Sequence, residues 1–522
     1  MAVTAPSAAA SAWRPSRSKW LIAFCVMLAA LLPLLDSTIV NVSLPYMQRS
    51  FGVDLDHISW VLTSYLVSSG IVIPLTGWIS ARMGRKRYFL SSVVAFLLAS
   101  ALCGAAVSLP AMVVFRFVQG AAGAAVVPTS QAILMEVFPP AEHALAMAVW
   151  GMGMMVAPVM GPTIGGWITE NWNWRWNFYI NLPVGAIAFL LVYMFIEDPP
   201  YLRRGARAQG KVDYPAIAYL VLGLGLLQTV LDRGQRSGWF AAPWVVGFTA
   251  CSALFLTLLV IREARVANPV LDLRVFKLRS FRLGVSLLVM TVFVVFGVNL
   301  MNPLFLQQLM GYGPAKAGYT VAARGLGVMA SMVLVGQFSR MGYRTIPLAG
   351  VGFVTIAFAN RRMAHWGLHT SAHALTWPIF LSGVGAGMVF PNLSALSLSF
   401  VQRERMGYAT GLFNMMRNMG SAFGVSAATN LLLSRRHAHY QSLLAAAALS
   451  QAAPAQRSTL LAGIRNRADL LAFHNVYQAL ALVALLLFVP ALWLTRAVAA
   501  DGRRAAAAEG RQAGLADDRE KR

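Results

Sequence analysis

The 522-residue chain is 58% hydrophobic and only 12% charged, with a mean hydropathy of +0.61. Soluble domains carry about 25% charged residues, so a large solvated surface is excluded and the class is all-α polytopic membrane protein. A net charge of +24 would suggest nucleic acid in a soluble protein, but here Lys and Arg sit in short connectors between apolar runs, the pattern of membrane orientation.

Apolar runs of about 17 residues or more predict fourteen spans. They lie at 20–44, 57–80, 88–108, 111–134, 144–169, 178–197, 213–231, 241–261, 282–309, 316–339, 345–361, 374–400, 408–433 and 474–496. An even count puts both termini on one side. The segments on that side hold most of the 43 Lys and Arg residues, including the runs 82–87, 203–211 and 262–282, so both ends are expected in the cytoplasm. Arg14, Arg17 and Lys19 before the first run resemble a signal peptide, but no small-residue cleavage site leads into a soluble domain; an uncleaved first helix is expected. Cys25, Cys103 and Cys251 all fall in apolar runs and read as packing residues. His365, His369 and His373, like His437 and His439, lie in external connectors at spacings too loose for a metal or catalytic cluster. Neither an enzyme nor a metal or organic cofactor is expected.

The first span carries the most informative residue. In LLDSTIVNVSLP (34–45), Asp36 lies about 24 Å along a helix from Trp20, past the middle of a hydrocarbon core about 30 Å thick. A carboxylate at that depth is costly and points to function; the alternative is a structural pair with a neighbouring helix. Asn41 lies about 140° further round the helix, so it cannot share a partner directly with Asp36.

Further along, GWISARMGRKR (77–87) after span 2 and GQFSRMGYR (336–344) after span 10 form a weak internal echo. Two six-span repeats with spans 7 and 8 inserted would place them at equivalent points, and such repeats carry a substrate site at their interface. The expected organisation is a tail (1–19), a six-helix bundle (20–197), connectors flanking two inserted helices (198–281), a second six-helix bundle (282–496) and a tail (497–522). Within the second bundle, the connector 434–473 is the longest external one. Its apolar and Arg spacing suits one or two amphipathic helices broken at Pro454, either lying on lipid or docking a periplasmic partner.

Several motifs, in order, resemble the fourteen-span drug:proton antiporters of the major facilitator superfamily, EmrB/QacA subfamily, over all but the tails. The resemblance implies that Asp36 in LLDSTIVNVSLP is the proton-coupling carboxylate and Asn41 a polar helper. GWISARMGRKR resembles the superfamily's loop between helices 2 and 3, with Gly77 and Gly84 for close approach and a tight turn, and Arg82 and Arg85 in a cytoplasmic charge cluster. The family pattern usually has Asp where this chain has Ala81. RFVQGAAGAA (116–125) opens span 4; Arg116, Gln119, Gly120 and Gly123 share one face. Arg116 resembles the family's Arg that tunes proton release, and a snorkelling Arg is the alternative. GMGMMVAPVMGPTIGGW (151–167) resembles the antiporter motif of helix 5, linked with exchange rather than uniport. There Gly161, Pro162, Gly165 and Gly166 would give a bendable, closely packed helix. WRWNFYINLPVG (174–185) resembles the subfamily's signature between spans 5 and 6 and reads as a structural aromatic anchor.

In the second half, LFLQQLMGYG (304–313) and GLFNMMRNMGSAFG (411–424) match family stretches. Asn299, Asn302, Arg324, Asn414, Arg417 and Asn418 are polar groups within spans. They either line a drug cavity or bind helices together, with helix binding favoured for Asn414 and Asn418 and cavity or gate roles for the two Arg. The resemblance implies alternating-access export of amphipathic small molecules with the proton as coupling ion. Where the host has two membranes, it also implies an EmrA-like periplasmic adaptor and an outer-membrane channel. Other readings left open are export of one metabolite or siderophore, and a non-transporting scaffold.

Overall fold

The computed structural model describes residues 18–198, 212–234, 237–266, 269–341, 346–446, 454–494, 498, 500, 501 and 503. The basic run 203–211, most of both tails, the tip of the 434–473 connector and the end of the second echo lie outside the described residues.

Among the described residues, fourteen long helices carry the architecture. They are α1 (Lys19–Phe51), α2 (Trp60–Met83), α3 (Arg85–Ala105), α4 (Leu109–Val137), α5 (His143–Asn171), α6 (Trp176–Phe195), α7 (Tyr214–Arg233), α8 (Pro243–Arg265), α9 (Arg279–Leu309), α10 (Pro314–Arg340), α11 (Ile346–Met363), α12 (Ala372–Leu398), α13 (Met406–Ala446) and α14 (Pro454–Leu486). By length and composition, twelve helices among the described residues can cross a membrane. The exceptions are α11, whose last turn holds Arg361 and Arg362, and α13, whose first third carries Asn414, Arg417 and Asn418. The fold is two six-helix bundles, α1–α6 and α9–α14, with α7 and α8 inserted. In the first bundle α1 packs on α5 and α6, and α2 and α3 on α4; in the second α9 packs on α13 and α12, and α11 on α12 and α14. The inserted α7 leans on α2, α8 and α13, so it touches both bundles.

Several boundaries differ from the sequence reading. Pro33 and Pro45 sit inside α1 without ending it, and the helix runs seven residues past the expected limit to a left-handed Gly52. Pro454 begins α14, where its missing N–H costs nothing. α13 and α14 are therefore single helices reaching well beyond spans 13 and 14. Near and beyond the outer limits of those spans they are joined by an Arg436–Asp469 ion pair at 2.5 Å and a His439–Asn475 contact at 2.7 Å.

Glycines set how closely the bundles approach. A Cβ on Gly77 of α2 would fall 2.4 Å from the Tyr408 backbone of α13, and one on Gly336 of α10 would fall 3.1 Å from Leu145 of α5. Exchanging the two halves turns α2 into α10 and α13 into α5, so the two contacts are one contact repeated. Gly151 meets Met332, Gly325 meets Val159, and Asn414 of α13 donates to Gln131 of α4 at 2.6 Å. These approaches run from the end where Arg85 lies to about the depth of Asp36. Among the described residues, the opposite end, marked by the Phe51–Trp174 ring contact, has none of them.

Candidate proton site

Asp36 is completely buried on α1. Its Oδ2 accepts from Arg116 Nη1 at 2.5 Å, and its Oδ1 accepts from Gln119 Nε2 and Asn181 Nδ2, each at 2.9 Å. Charge-assisted bonds of this kind are short and strong, and they offset much of the cost of removing the carboxylate from water. Four helices supply the shell. α4 presents Arg116 and Gln119 one turn apart; the same Arg116 Nη1 also donates to Gln119 Oε1 at 2.8 Å, and Arg116 Nε to the Val61 carbonyl of α2 at 3.2 Å. The guanidinium lies 4.3 Å from the centre of the Tyr65 ring, a cation–π contact out of water. Gly120 makes this possible: a Cβ there would meet the Tyr65 carbonyl at 2.4 Å. α6 presents Asn181, which also donates to Ser100 Oγ of α3 at 3.0 Å.

The snorkelling alternative for Arg116 is therefore ruled out in this conformer: the residue is fully buried and paired. Asn41 is exposed and stands apart from the cluster, as its helix angle requires. The stretch 174–185 is more than an anchor, because it contains Asn181. Tyr65, Ser100 and Asn181 went unrecognised in the sequence; the available signal was the i, i+4 pair Asn177 and Asn181 beside an apolar run. Cys103 is not only a packing residue, since its Sγ lies 3.5 Å from Gln119 Oε1.

In the 77–87 loop, Gly84 has φ +88°, a turn only glycine makes freely. Arg82 stacks 4.7 Å over Trp78. Arg85 is no surface orientation charge: it is buried and paired with Glu136 of α4. With Ala at 81, carboxylates at this end come from elsewhere. Asp198 accepts from the Lys86 backbone N–H at 2.7 Å, and Asp272 lies 3.4 Å from Arg405. On α5, Gly161 and Gly165 press on Thr38 and Ile39 of α1; Gly166 has ordinary contact with Val42, and Pro162 is exposed.

The second-half polar residues divide. Asn302 is no cavity residue; it is buried in the bundle with the Tyr477 hydroxyl donating to its Oδ1 at 2.9 Å. Asn414 binds the two bundles together, as above. Asn418 instead lines a small cleft with Gly70, Leu224, Gln228, Met415 and Met419, where α2, α7 and α13 meet. Arg324 donates to the Val295 carbonyl at 3.0 Å and to exposed Asn299 at 3.4 Å. Arg417 is half-buried on α13. Among the described residues neither Arg has a carboxylate in ion-pair range.

A buried carboxylate–guanidinium pair thus lies between helices of one bundle, beside glycine-lined contacts with the other. The family model of the Major Facilitator Superfamily matches residues 26–425. The chain belongs to the Major Facilitator Superfamily. Within it, the chain is 32% identical over 430 residues to the multidrug export protein EmrB of Escherichia coli strain K12, covering 81% of this chain and 82% of that one. It is 33% identical over 414 residues to the fatty acid resistance protein FarB of Neisseria gonorrhoeae, covering 79% and 80%. The fold is that of the human organic anion transporter MFSD10 (TETRAN), with a TM-score of 0.61 at 17% identity over 90% of this chain and all of that one.

Proposed function

We propose that this superfamily member is a proton-coupled multidrug exporter that moves amphipathic molecules out of a bacterial cytoplasm by alternating access. The observation that carries the coupling is the dry Asp36–Arg116 pair. An ionised Asp36 only accepts hydrogen bonds, and all three of its donors face it. A proton on Asp36 removes the negative charge that attracts Arg116, so the charge-assisted bond weakens and the guanidinium is released to shift. Arg116 is also fastened to the Val61 carbonyl and to Tyr65, so that rearrangement pulls on α2 and α4. α2 is the helix whose Gly77 closes against Tyr408, which links protonation to the bundle contact.

The positive-inside rule puts the Arg85 end and both termini in the cytoplasm. The conformer closed at that end then faces outward, ready to take a proton at Asp36. In the inward-facing state the proton leaves and cargo loads. Everted vesicles carrying Asp36→Asn should show no export driven by a pH gradient, while the protein inserts normally. Coupled export at the wild-type rate would refute the proposal.

The cleft where α2, α7 and α13 meet is lined by Gln228, Met415, Asn418 and Met419 with no fixed charge, a surface that suits varied apolar molecules. Among the described residues Arg324 and Arg417 have no carboxylate in ion-pair range, and this favours lipophilic anions and weak acids. The Neisseria relative's name, a fatty acid resistance protein, fits amphipathic acids. A panel of ethidium, Nile red and carboxyfluorescein, run in the same vesicles, should show the anion leaving at least as fast as the cation. Preference for ethidium alone would assign the cargo charge to competition with the proton at Asp36 instead. An adaptor, where the host has an outer membrane, would dock on the projecting ends of α13 and α14.

A further inference from the structure

Above Asp36 lies a second buried polar cluster that the coupling step does not use. Ser43 is seven residues on from Asp36 along α1, on the same face and about 10 Å nearer the Trp174 end. Ser43 and Asn177 are fully buried and Thr169 nearly so. Asn177 Nδ2 donates to Ser43 Oγ, to Thr169 Oγ1 at 2.6 Å and to the Gly165 carbonyl at 3.3 Å. The hydroxyls send their own hydrogens to helix carbonyls, Ser43 to Ile39 at 3.1 Å and Thr169 to Gly165 at 2.6 Å. Asn177 therefore ties α1, α5 and α6 together, one helical turn from Asn181, which holds Asp36.

The two amides leave their oxygens unused. Asn177 Oδ1 and Asn181 Oδ1 are buried with no hydrogen-bond partner among the described residues. Neither amide can be turned round to cure this, because the Gly165 carbonyl and the Asp36 carboxylate can only accept. At i, i+4 on α6, the side chains stand about 5–6 Å apart at Cβ. Two acceptors so placed call for a small donor with two or more hydrogens between them, and water or hydronium has that chemistry. The nearby charged groups are the Asp36–Arg116 pair and Arg175, whose Nη1 donates to the Gly104 carbonyl at 3.0 Å. Beyond Thr169 the chain emerges at exposed Glu170 and Asn171.

We infer that protons reach Asp36 from the Trp174 end through a hydrated seam formed by Ser43, Thr169, Asn177 and Asn181. The inference rests on Asp36 being the proton site, and its test separates the two. In wild-type protein reconstituted in lipid vesicles, a short X-ray pulse generates hydroxyl radicals from bound water. Phe178, fully buried between the two amides in sequence, should be oxidised well above the level of buried Phe353 in the other bundle. Labelling no greater than at Phe353 would overturn the seam without touching the role of Asp36. In the same vesicles, Asn177→Leu and Thr169→Val should slow proton uptake after an external acid pulse at least tenfold, with dye counterflow, which needs no net proton transfer, within about twofold of wild type. Wild-type proton uptake in a variant with intact counterflow would also overturn it. Asp36→Asn should abolish uptake yet keep the Phe178 labelling; if uptake survives there, the proton site fails while the water reading stands.

Discussion

A carboxylate held by three donors is only as stable as its charge partner. Replacing Arg116 with Ala would leave Asp36 buried and unpaired, at a cost of about 3–5 kcal/mol. Thermal unfolding in detergent should therefore show a marked fall for Arg116→Ala, with at least half of it recovered in the Asp36→Asn, Arg116→Ala double variant. An unchanged midpoint for the single variant would mean that the pair does not hold the bundle together. At this scale the sequence was legible where charge met an apolar run. Asp36 and Arg116 stand out because lipid makes each expensive, and Gln119 follows from Arg116 by helix spacing. Asn181 was not legible. It sits in a Trp-rich border whose composition suits a membrane interface, and only the path of α6 turns it inward. Arg85 misled for a different reason. Its partner Glu136 lies on another helix, so no local spacing separated a buried pair from a surface cluster.

Between helices, small residues decide what can touch. At Gly77 the neighbour is the Tyr408 backbone, which cannot swing aside, whereas at Gly161 the nearest atom is the Thr38 hydroxyl. Gly77→Val should hold α2 and α13 apart and shift the population away from the conformer closed at the Arg85 end. Spin labels placed across that end should report longer distances, and export should fall at least tenfold. Gly161→Ala should be milder, since Thr38 can turn its hydroxyl away and only its Cβ, at 2.8 Å, then has to give. Equal effects at both positions would argue against a backbone-limited contact. The repeat echo in the sequence was too weak to predict this contact. Its physical content emerged only when α2 was found on α13 and α10 on α5. Helix ends were the least legible feature, because prolines that look like stops are tolerated within α1 and serve as a start in α14.

Over the whole molecule, the longest helix is out of proportion to a bilayer. The 41 residues of α13 span about 60 Å, roughly twice the hydrocarbon thickness, so its far end projects together with α14. We predict that trimming both helices by equal whole turns beyond Ser434 leaves dye export from isolated membranes near wild type but removes drug resistance in intact cells of a host with two membranes. Loss in both settings would make the projection part of the transport machinery instead of a docking element. The all-α membrane class was readable from apolar run length, and twelve of the fourteen expected spans are helices long and apolar enough to cross a membrane among the described residues. The reach of α13 was not, because its outer half is polar enough to pass for a connector.

Asp36 leaves the ribosome 80 residues before Arg116 and 145 before Asn181. During synthesis the first helix must therefore pass into lipid, or wait beside the insertion machinery, with none of its eventual donors yet made. Ribosome-bound chains ending before Gln119 should keep that helix near the insertion channel, and release should come only after the sixth helix has emerged. The order of assembly is thus written into which helices answer one acid.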